Sequence, residues 1–334
     1  MNSYYSNRIE GQSTHPRNIE RALRHDFSSR PEVARLQRIA LAHIEAEREL
    51  ETLEMAPLSS AFLQRAHQAL YERLAPTDRL SDEGLIVEPG QLRSHNVDVG
   101  KHVAPLASAL PAFLSRLDQV YGAGTGWEKR LIVIALLHHR VAWVHPFLDG
   151  NGRATRLQSH AALWPLSAGL WSPSRGLARD RQAYYSALAN ADAPRRGDLD
   201  GRGNLSGQGL FEWVQYFLAV CEDQVTFMGR MLDLDGMRQR LSALITFLSA
   251  EDRAIRAEAV LPLHHVFAAG PVTRGEFSQM TGLGERTARN LLSALLRHGL
   301  LASDTPLGRV HFGLPLDALG FLLPNLYPEA ASPL

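Results

Sequence analysis

The sequence predicts a mainly α-helical protein: a helical core with one small β-hairpin, followed by a C-terminal winged helix. Three observations carry that expectation. Apolar residues recur at helical spacing through much of residues 31–248, as in helices that bury one face. The stretch 85–102 breaks this period, with Leu85, Val87, Leu92, Val97 and Val99 interrupted by Pro89-Gly90 and Ser94-His95-Asn96, which suggests two short strands and a turn. Near the C-terminus two helix-like segments flank Gly282-Leu283-Gly284, the pattern of a helix-turn-helix.

Taken in order, residues 1–30 are polar and form an N-terminal segment. Residues 31–225 read as one helical domain. Within it, 33–55 places Val33, Leu36, Ala40 and Ile44 on one helical face, and 59–74 follows with Ser59 or Ser60 as its cap. Helical patterns resume at 107–120, at 127–144 and after Gly152. Residues 197–209 read as a glycine-rich loop, and 211–248 as helix. Residues 226–258 are expected to be a helical linker, and 259–334 the winged-helix-like domain. Its helices are 273–281 and 285–297, and 300–312 would supply two wing strands around Pro306-Leu307-Gly308.

Composition excludes several classes. The 334 residues are 45% hydrophobic, enough for a sizeable core and too apolar for intrinsic disorder. A single cysteine, Cys221, excludes an internal disulfide framework and a cysteine-rich zinc site. It falls among Phe211, Trp213, Tyr216 and Phe217 and reads as a small buried hydrophobe. The formal net charge is +0, which argues against bulk attraction to nucleic acid or anionic lipid. The N-terminus lacks the apolar core of a signal peptide, and no apolar run is long enough to span a bilayer. A soluble, cytoplasmic protein without a membrane partner is expected. Apart from Lys101 and Lys129 every basic side chain is arginine, the better phosphate grip.

The most informative run is His145-Pro146-Phe147-Leu148-Asp149-Gly150-Asn151-Gly152-Arg153-Ala154-Thr155-Arg156. It lies between two helical segments. Glycines let backbone N–H groups approach a phosphate, and the start of the next helix adds unpaired donors and its dipole. Arg153 and Arg156 are three apart and share a helical face, so both can reach one polyphosphate. Asp149 offers a hard oxygen ligand for the Mg²⁺ that accompanies nucleotides. His145 can accept a proton near neutral pH. A base, a metal ligand, a phosphate cradle and two arginines in twelve residues point to phosphoryl or nucleotidyl transfer by positioning and charge neutralisation.

This run resembles the complete Fic-family signature, His-Pro-Phe-x-Asp-Gly-Asn-Gly-Arg-x-x-Arg, a family known for moving AMP from ATP onto a protein hydroxyl. The resemblance covers roughly residues 31–220 and implies a Fic-fold helical core. It implies His145 as the general base toward a target Ser, Thr or Tyr, and Phe147 as the anchor of the loop. It implies Asp149 as the ligand of Mg²⁺ (or Mn²⁺), and Gly150, Asn151 and Gly152 as the anion hole. Arg153 would hold the β-phosphate region and Arg156 the γ-phosphate. Kinase-type relatives carry lysine at the second glycine and lack the last arginine, so Gly152 and Arg156 favour AMP transfer with ATP as substrate. Residues 90–99 resemble the family's flap, and Gly90, Leu92, Arg93 and Val97 would hold the target backbone by strand addition. Tyr184, Tyr185 and Asn190 resemble the adenine side.

Ser6-Asn7-Arg8-Ile9-Glu10-Gly11 resembles the family's inhibitory motif, with Ser6, Glu10 and Gly11 at its defined positions. The resemblance implies that Glu10 pairs with Arg156. One guanidinium can hold a carboxylate or a phosphate, but not both. Reverse removal of AMP, with Glu10 orienting a water, is a further implication. His138-His139 reads as packed core. In the last domain Arg274, Arg286, Arg289, Arg297 and Arg309 are matched by Glu276, Glu285, Asp304, Asp317 and Glu329. That balance makes a poor DNA footprint and favours protein docking or homodimerisation there. Two alternatives stay open: a transferase of another nucleotide or of phosphocholine, and a DNA-binding regulator that uses the Fic domain as a nucleotide sensor.

Overall fold

The structure, a computed structural model, describes residues 1–81, 83–99, 102–122 and 126–328. It is mainly helical and divides into two compact units, residues 1–14 with 18–225, and residues 15–17 with those from 226 onward. The helices in the first part of the chain are α1 (Asn2–Ile9), α2 (Pro16–Leu23), α3 (Pro31–Glu51) and α4 (Ser60–Tyr71). They are followed by β1 (Asp98–Val99), β2 (His102–Val103), α5 (Leu110–Tyr121) and α6 (Trp127–Val144), and then by α7 (Asn151–Ser167), α8 (Pro173–Arg179), α9 (Arg181–Ala191) and α10 (Gly207–Met231).

The first unit is built around α7, which packs on α6, α4 and α3. Nearly every residue from Asn151 to Leu163 is buried, so α7 is a central helix rather than an amphipathic surface one. Two apolar clusters meet along it. Ile39, Phe62, Leu70 and Leu157 form one. Leu63, Leu117, Val141 and Phe147 form the other. Burying such side chains contributes about 1.5–3 kcal/mol each, which fixes the axis on which the motif loop is mounted. Ser59 caps α4, its hydroxyl accepting from the Phe62 amide at 3.1 Å.

The N-terminal segment is more ordered than its polar sequence suggests. It is a buried helix, α1, lying on α8, α3 and α7. Tyr4, Tyr5 and Ile9 supply its apolar contacts. The hairpin is shorter and later than residues 85–102. Asp98 pairs with Val103 and Val99 with His102, while Gly90, Leu92 and Arg93 lie in the irregular approach to it.

The second unit contains α11 (Leu234–Glu251), α12 (Val260–Ala269), α13 (Arg274–Met280), α14 (Glu285–Arg297), β3 (Leu301–Ala302), β4 (His311–Phe312) and α15 (Leu316–Leu322). The long helical stretch read at 211–248 is broken after Met231, where Asp233 caps α11 by accepting from the Gly236 amide at 2.7 Å. Residues 226–258, read as a linker, hold α11, whose buried Met237, Leu241, Leu244 and Ile245 face α12 and α15. Thr273 and Glu276 form a capping box on α13. Leu301 pairs with Phe312 and Ala302 with His311 across the C-terminal hairpin. Among the described residues no helix is long and apolar enough to cross a membrane.

Candidate active site

Two left-handed residues bound the motif loop. His145 ends α6 with φ 49°, and Gly150 starts α7 with φ 76°. At Gly150 a side chain is excluded twice, since a Cβ there would land on the Tyr71 ring. Between them the chain turns back on itself, and Asn151 staples the turn. Its Oδ1 accepts from the Phe147 amide and its Nδ2 donates to the Phe147 carbonyl, both at 2.9 Å. Phe147 is fully buried and stacks on His67 at 3.9 Å. His67 stacks on Tyr71 in turn.

His67 explains the height of the loop. The Gly90 amide donates to its Nδ1 at 2.9 Å, so the proton sits on Nε2 and is donated to the Asp149 carbonyl at 3.0 Å. Burial lowers His67 to about 4, which keeps it neutral for this two-sided role. Tyr71 donates to Asp149 Oδ2 at 2.7 Å and accepts from Arg153 at 2.7 Å. Neither His67 nor Tyr71 was singled out in sequence. Their four-residue spacing, which puts both on one face of α4, was the available signal.

Arg93 is buried and faces inward. Its Nε donates to the His145 carbonyl at 2.8 Å, and its other nitrogens reach the carbonyls of His95 and Pro105. Carbonyls at the end of a helix lack intrahelical donors, and a guanidinium there also suits the helix dipole. Arg93 therefore braces the base of the loop instead of facing a target peptide. Leu92 is partly buried against the second apolar cluster. The Val97 carbonyl accepts from the Ala104 amide at 3.4 Å, next to the hairpin.

The motif arginines point to one place. Arg153 is 4% exposed and donates to Tyr71, to Asp149 Oδ2 at 3.1 Å and to Gln12 Oε1 at 3.1 Å. Arg156 is 1% exposed; its Nε donates to Ser6 Oγ at 2.9 Å, and one terminal nitrogen reaches the Ser6 carbonyl and Glu10 Oε1. Burial alone would disfavour its charge, and Glu10, with Tyr184 and Tyr185, more than offsets that.

Local geometry of α1 makes this contact. Ser6 and Glu10 are four apart, so they share a face. Gly11, at φ 73°, ends the helix. The Gly11 amide donates to the Arg8 carbonyl and the Gln12 amide to the Asn7 carbonyl, a Schellman close that only an unhindered residue at Gly11 allows readily. Glu10 thus sits at the helix end, above the start of α7. A Cβ at Gly152 would come within 2.5 Å of Glu10 Oε1, so that glycine admits the carboxylate.

A cavity of about 610 Å³ opens beside these groups. His145, Asn151, Gly152, Arg156, Tyr184 and Tyr185 line it, together with Glu10. Burial lowers His145 to about 4, so its imidazole is neutral at pH 7. The Tyr184 hydroxyl bonds His138 Nε2 at 3.0 Å, and His138 Nδ1 meets Ser159 Oγ at 2.8 Å. His138 is packed core, as the sequence suggests. His139 pairs with Asp192 at 2.8 Å, and both line the cavity, a contribution the sequence reading missed. Asn190 is turned elsewhere, to Glu212 at 2.6 Å and Arg196 at 3.1 Å. Asp149, with 42% of its side chain exposed, is ionised under the pull of Arg153 and Tyr71 despite burial. A partly exposed, anionic hard-oxygen donor beside the buried Arg153 fits Mg²⁺.

This is a helix–loop–helix with two buried arginines and a neutral imidazole at its edge. Residues 57–163 match the model of the Fic/DOC family, and the chain carries a domain of that family. The chain is similar to the protein adenylyltransferase Fic of Drosophila ananassae, 27% identical over 141 residues, which are 42% of this chain and 28% of that protein. It is similar also to the protein adenylyltransferase Fic of Culex quinquefasciatus, 32% identical over 107 residues, or 32% of this chain and 21% of that one. The chain thus spans less than a third of the length of these curated relatives. Among solved structures, a Fic family protein from Desulfovibrio desulfuricans is 20% identical with a TM-score of 0.49, covering 93% of this chain and 85% of its own. A Fic domain containing signaling protein from Bacteroides thetaiotaomicron is 19% identical with a TM-score of 0.48, covering 68% and 84%.

Proposed function

We propose that this protein is a protein adenylyltransferase held in an inhibited state by its own N-terminal helix. One observation carries the reading: Arg156, in the position expected for the γ-phosphate, is engaged by Ser6 and Glu10. A carboxylate can replace phosphate on a guanidinium, and it excludes phosphate while it stays.

In the released state ATP enters the cavity with its phosphates at the start of α7. Backbone donors of Asn151 and Gly152, then Arg153 and Arg156, hold them. Mg²⁺ at Asp149 would supply charge neutralisation across the phosphates. The hairpin at β1 and β2 borders the cavity through His102 and Val103, and an extended target segment docks there. His145, neutral by burial, takes the proton from the target Ser, Thr or Tyr hydroxyl. That oxygen bonds the α-phosphorus, the bond to the β-phosphate bridging oxygen breaks, and pyrophosphate leaves. AMP stays on the target. Return of Glu10 to the site allows the reverse removal of AMP by water. Residues 259–334 are read as a winged helix for docking or dimerisation, and the buried, free Cys221 suits a reducing cytoplasm.

The test is labelling from α-³²P-ATP with Mg²⁺, using wild type, Glu10→Gly and His145→Ala, with UTP and CTP as competitors. A charge-assisted hydrogen bond is worth roughly 1.5–3 kcal/mol, so Glu10→Gly should raise labelling about 10- to 100-fold. His145→Ala should remove it, since a general base contributes about 10²- to 10⁴-fold. Unchanged labelling in Glu10→Gly would refute the inhibitory assignment. Labelling that survives His145→Ala would refute the base.

A further inference from the structure

Most polar side chains buried along α7 are hydrogen-bonded. Thr155 Oγ1 donates to the Asn151 carbonyl at 2.7 Å, Ser159 Oγ to the Thr155 carbonyl at 2.9 Å, and Gln158 Nε2 to the Pro57 and Ser59 carbonyls at 2.9 Å. His160 is 3% exposed, and among the described residues neither of its ring nitrogens has a hydrogen-bond partner. Its Nε2 meets the Glu47 carboxylate only as an ion pair, and its Nδ1 has no partner among the described residues, which is rare for a buried imidazole.

Its neighbours are on α3. His43, Glu47 and Glu51 are spaced four apart, so one face of α3 presents all three. His160 Nε2 lies 3.3 Å from Glu47 Oε1. One ligand atom each from Glu47, Glu51 and His160 lie within 4.8 Å of one another. His43 Nδ1 is 3.7 Å from Glu47 Oε2, on the far side of that carboxylate. His43 is fully buried, and neither of its nitrogens has a hydrogen-bond partner among the described residues. Two buried imidazoles therefore flank the Glu47 carboxylate, and His160 also faces Glu51 one turn further along α3.

We propose that Glu47, Glu51 and His160 form a binding site for a divalent transition ion of the zinc type, with His43 orienting Glu47. Two carboxylates and one imidazole are the mixed donor set that suits zinc better than magnesium. The cation would satisfy His160 and relieve the repulsion between Glu47 and Glu51. His43 Nδ1–H would then donate to Glu47 Oε2, the usual support for a ligating carboxylate. None of these residues belongs to the motif loop, so the site stands or falls independently of Asp149 and of the transfer reaction.

The test uses the full chain, stripped with EDTA and dialysed, titrated with Zn²⁺ by calorimetry and in parallel with Mg²⁺. The melting temperature is followed in the same samples, and Co²⁺ absorption reports the ligand field. Wild type should bind one more zinc than Glu51→Gln or His160→Ala, or bind it about 100-fold tighter. Its melting temperature should rise with zinc concentration as a linked ligand requires. Glu51→Gln keeps shape at a partly exposed position, so it remains informative if His160→Ala fails to fold. Equal zinc binding by wild type and Glu51→Gln, equal response to Mg²⁺, or no zinc binding by wild type overturns the proposal. The last outcome makes the cluster a hydrated polar pocket.

Discussion

Two helices of this chain begin alike and differ in everything that follows. Both α7 and α14 start after a glycine, Gly150 and Gly284. Both carry arginines three apart, Arg153 with Arg156 and Arg286 with Arg289. On α7 both arginines are buried, and they donate to Tyr71, Asp149, Gln12, Ser6 and Glu10. On α14 Arg286 is exposed, and Arg289 pairs with Glu285 on a surface where the side chains are 71% and 86% exposed. A helix start with two arginines is thus not in itself a phosphate site. The reading proposed for α7 rests on burial against preplaced partners, because a desolvated guanidinium discriminates among anions while a solvated one is screened.

The largest effect follows from Arg156. In the Glu10→Gly background, Arg156→Ala should lower labelling by about 10²- to 10³-fold, the range for removal of one fixed donor at a transferring group. Arg289→Ala in the same background should leave it unchanged. A comparable drop in both variants, measured as initial rates with α-³²P-ATP, would erase the distinction between the helices.

The next effect concerns the glycine that starts α7. Gly150→Ala faces a positive φ and a Cβ that lands on the Tyr71 ring, and strain of this kind costs on the order of 1–3 kcal/mol. Gly284 has φ −59° and nothing within 4 Å of an added Cβ, so Gly284→Ala should be tolerated. Denaturant midpoints of the two variants compare the two starts directly. Equal midpoints would mean that the Gly150 geometry is not obligatory.

What could be read in advance follows the same division. The motif was legible because its groups are local: His145, Asp149, Gly150, Asn151, Gly152 and the two arginines occupy twelve consecutive residues, and a helix start orders them. Helix positions were legible from spacing, and Ser59 is the cap of α4. Legibility failed where distance along the chain is long. Tyr71 and His67 meet the loop from 78 and 82 residues away, and only packing of α4 on α7 brings them there. Arg93 reads as a surface flap residue until its carbonyl partners are located. Asn190 lies on the expected helix, α9, but its last turn rotates it toward Glu212. Polar N-terminal residues suggested a loose segment, whereas α1 is buried because its polar side chains find partners such as Ala40, Glu47 and Ser172.

A smaller effect is set by pH. Burial lowers His43 and His138 to about 3 and His67 and His145 to about 4, from 6.5. All four lie in the first unit. Above pH 6.5 they are neutral in both folded and unfolded chains and do not bias folding. Between pH 6.5 and about 4 the unfolded chain binds protons that the folded chain refuses, so stability falls as pH falls. The melting temperature should decline from pH 7.5 to 5, and His145→Ala should make the decline shallower. A flat profile over that range would contradict neutral, buried imidazoles around the motif loop.

The smallest effect belongs to α14. Exposed ion pairs contribute little, so Arg286→Ala and Arg289→Ala should each move the melting temperature by no more than about 1–2 °C. Their value lies in a second measurement. If this helix reads nucleic acid, then binding of a random duplex should be strong at low salt, weaken with a slope set by the phosphates contacted, and lose about one unit of slope per arginine removed. The matched acidic residues around Arg286 and Arg289 argue for no such slope, because Glu285 already occupies Arg289 and repels a phosphate at the same point. Salt-sensitive duplex binding that disappears with these two arginines would reverse the comparison, making the solvated pair a nucleic-acid contact and the buried pair on α7 one of two phosphate sites in the chain.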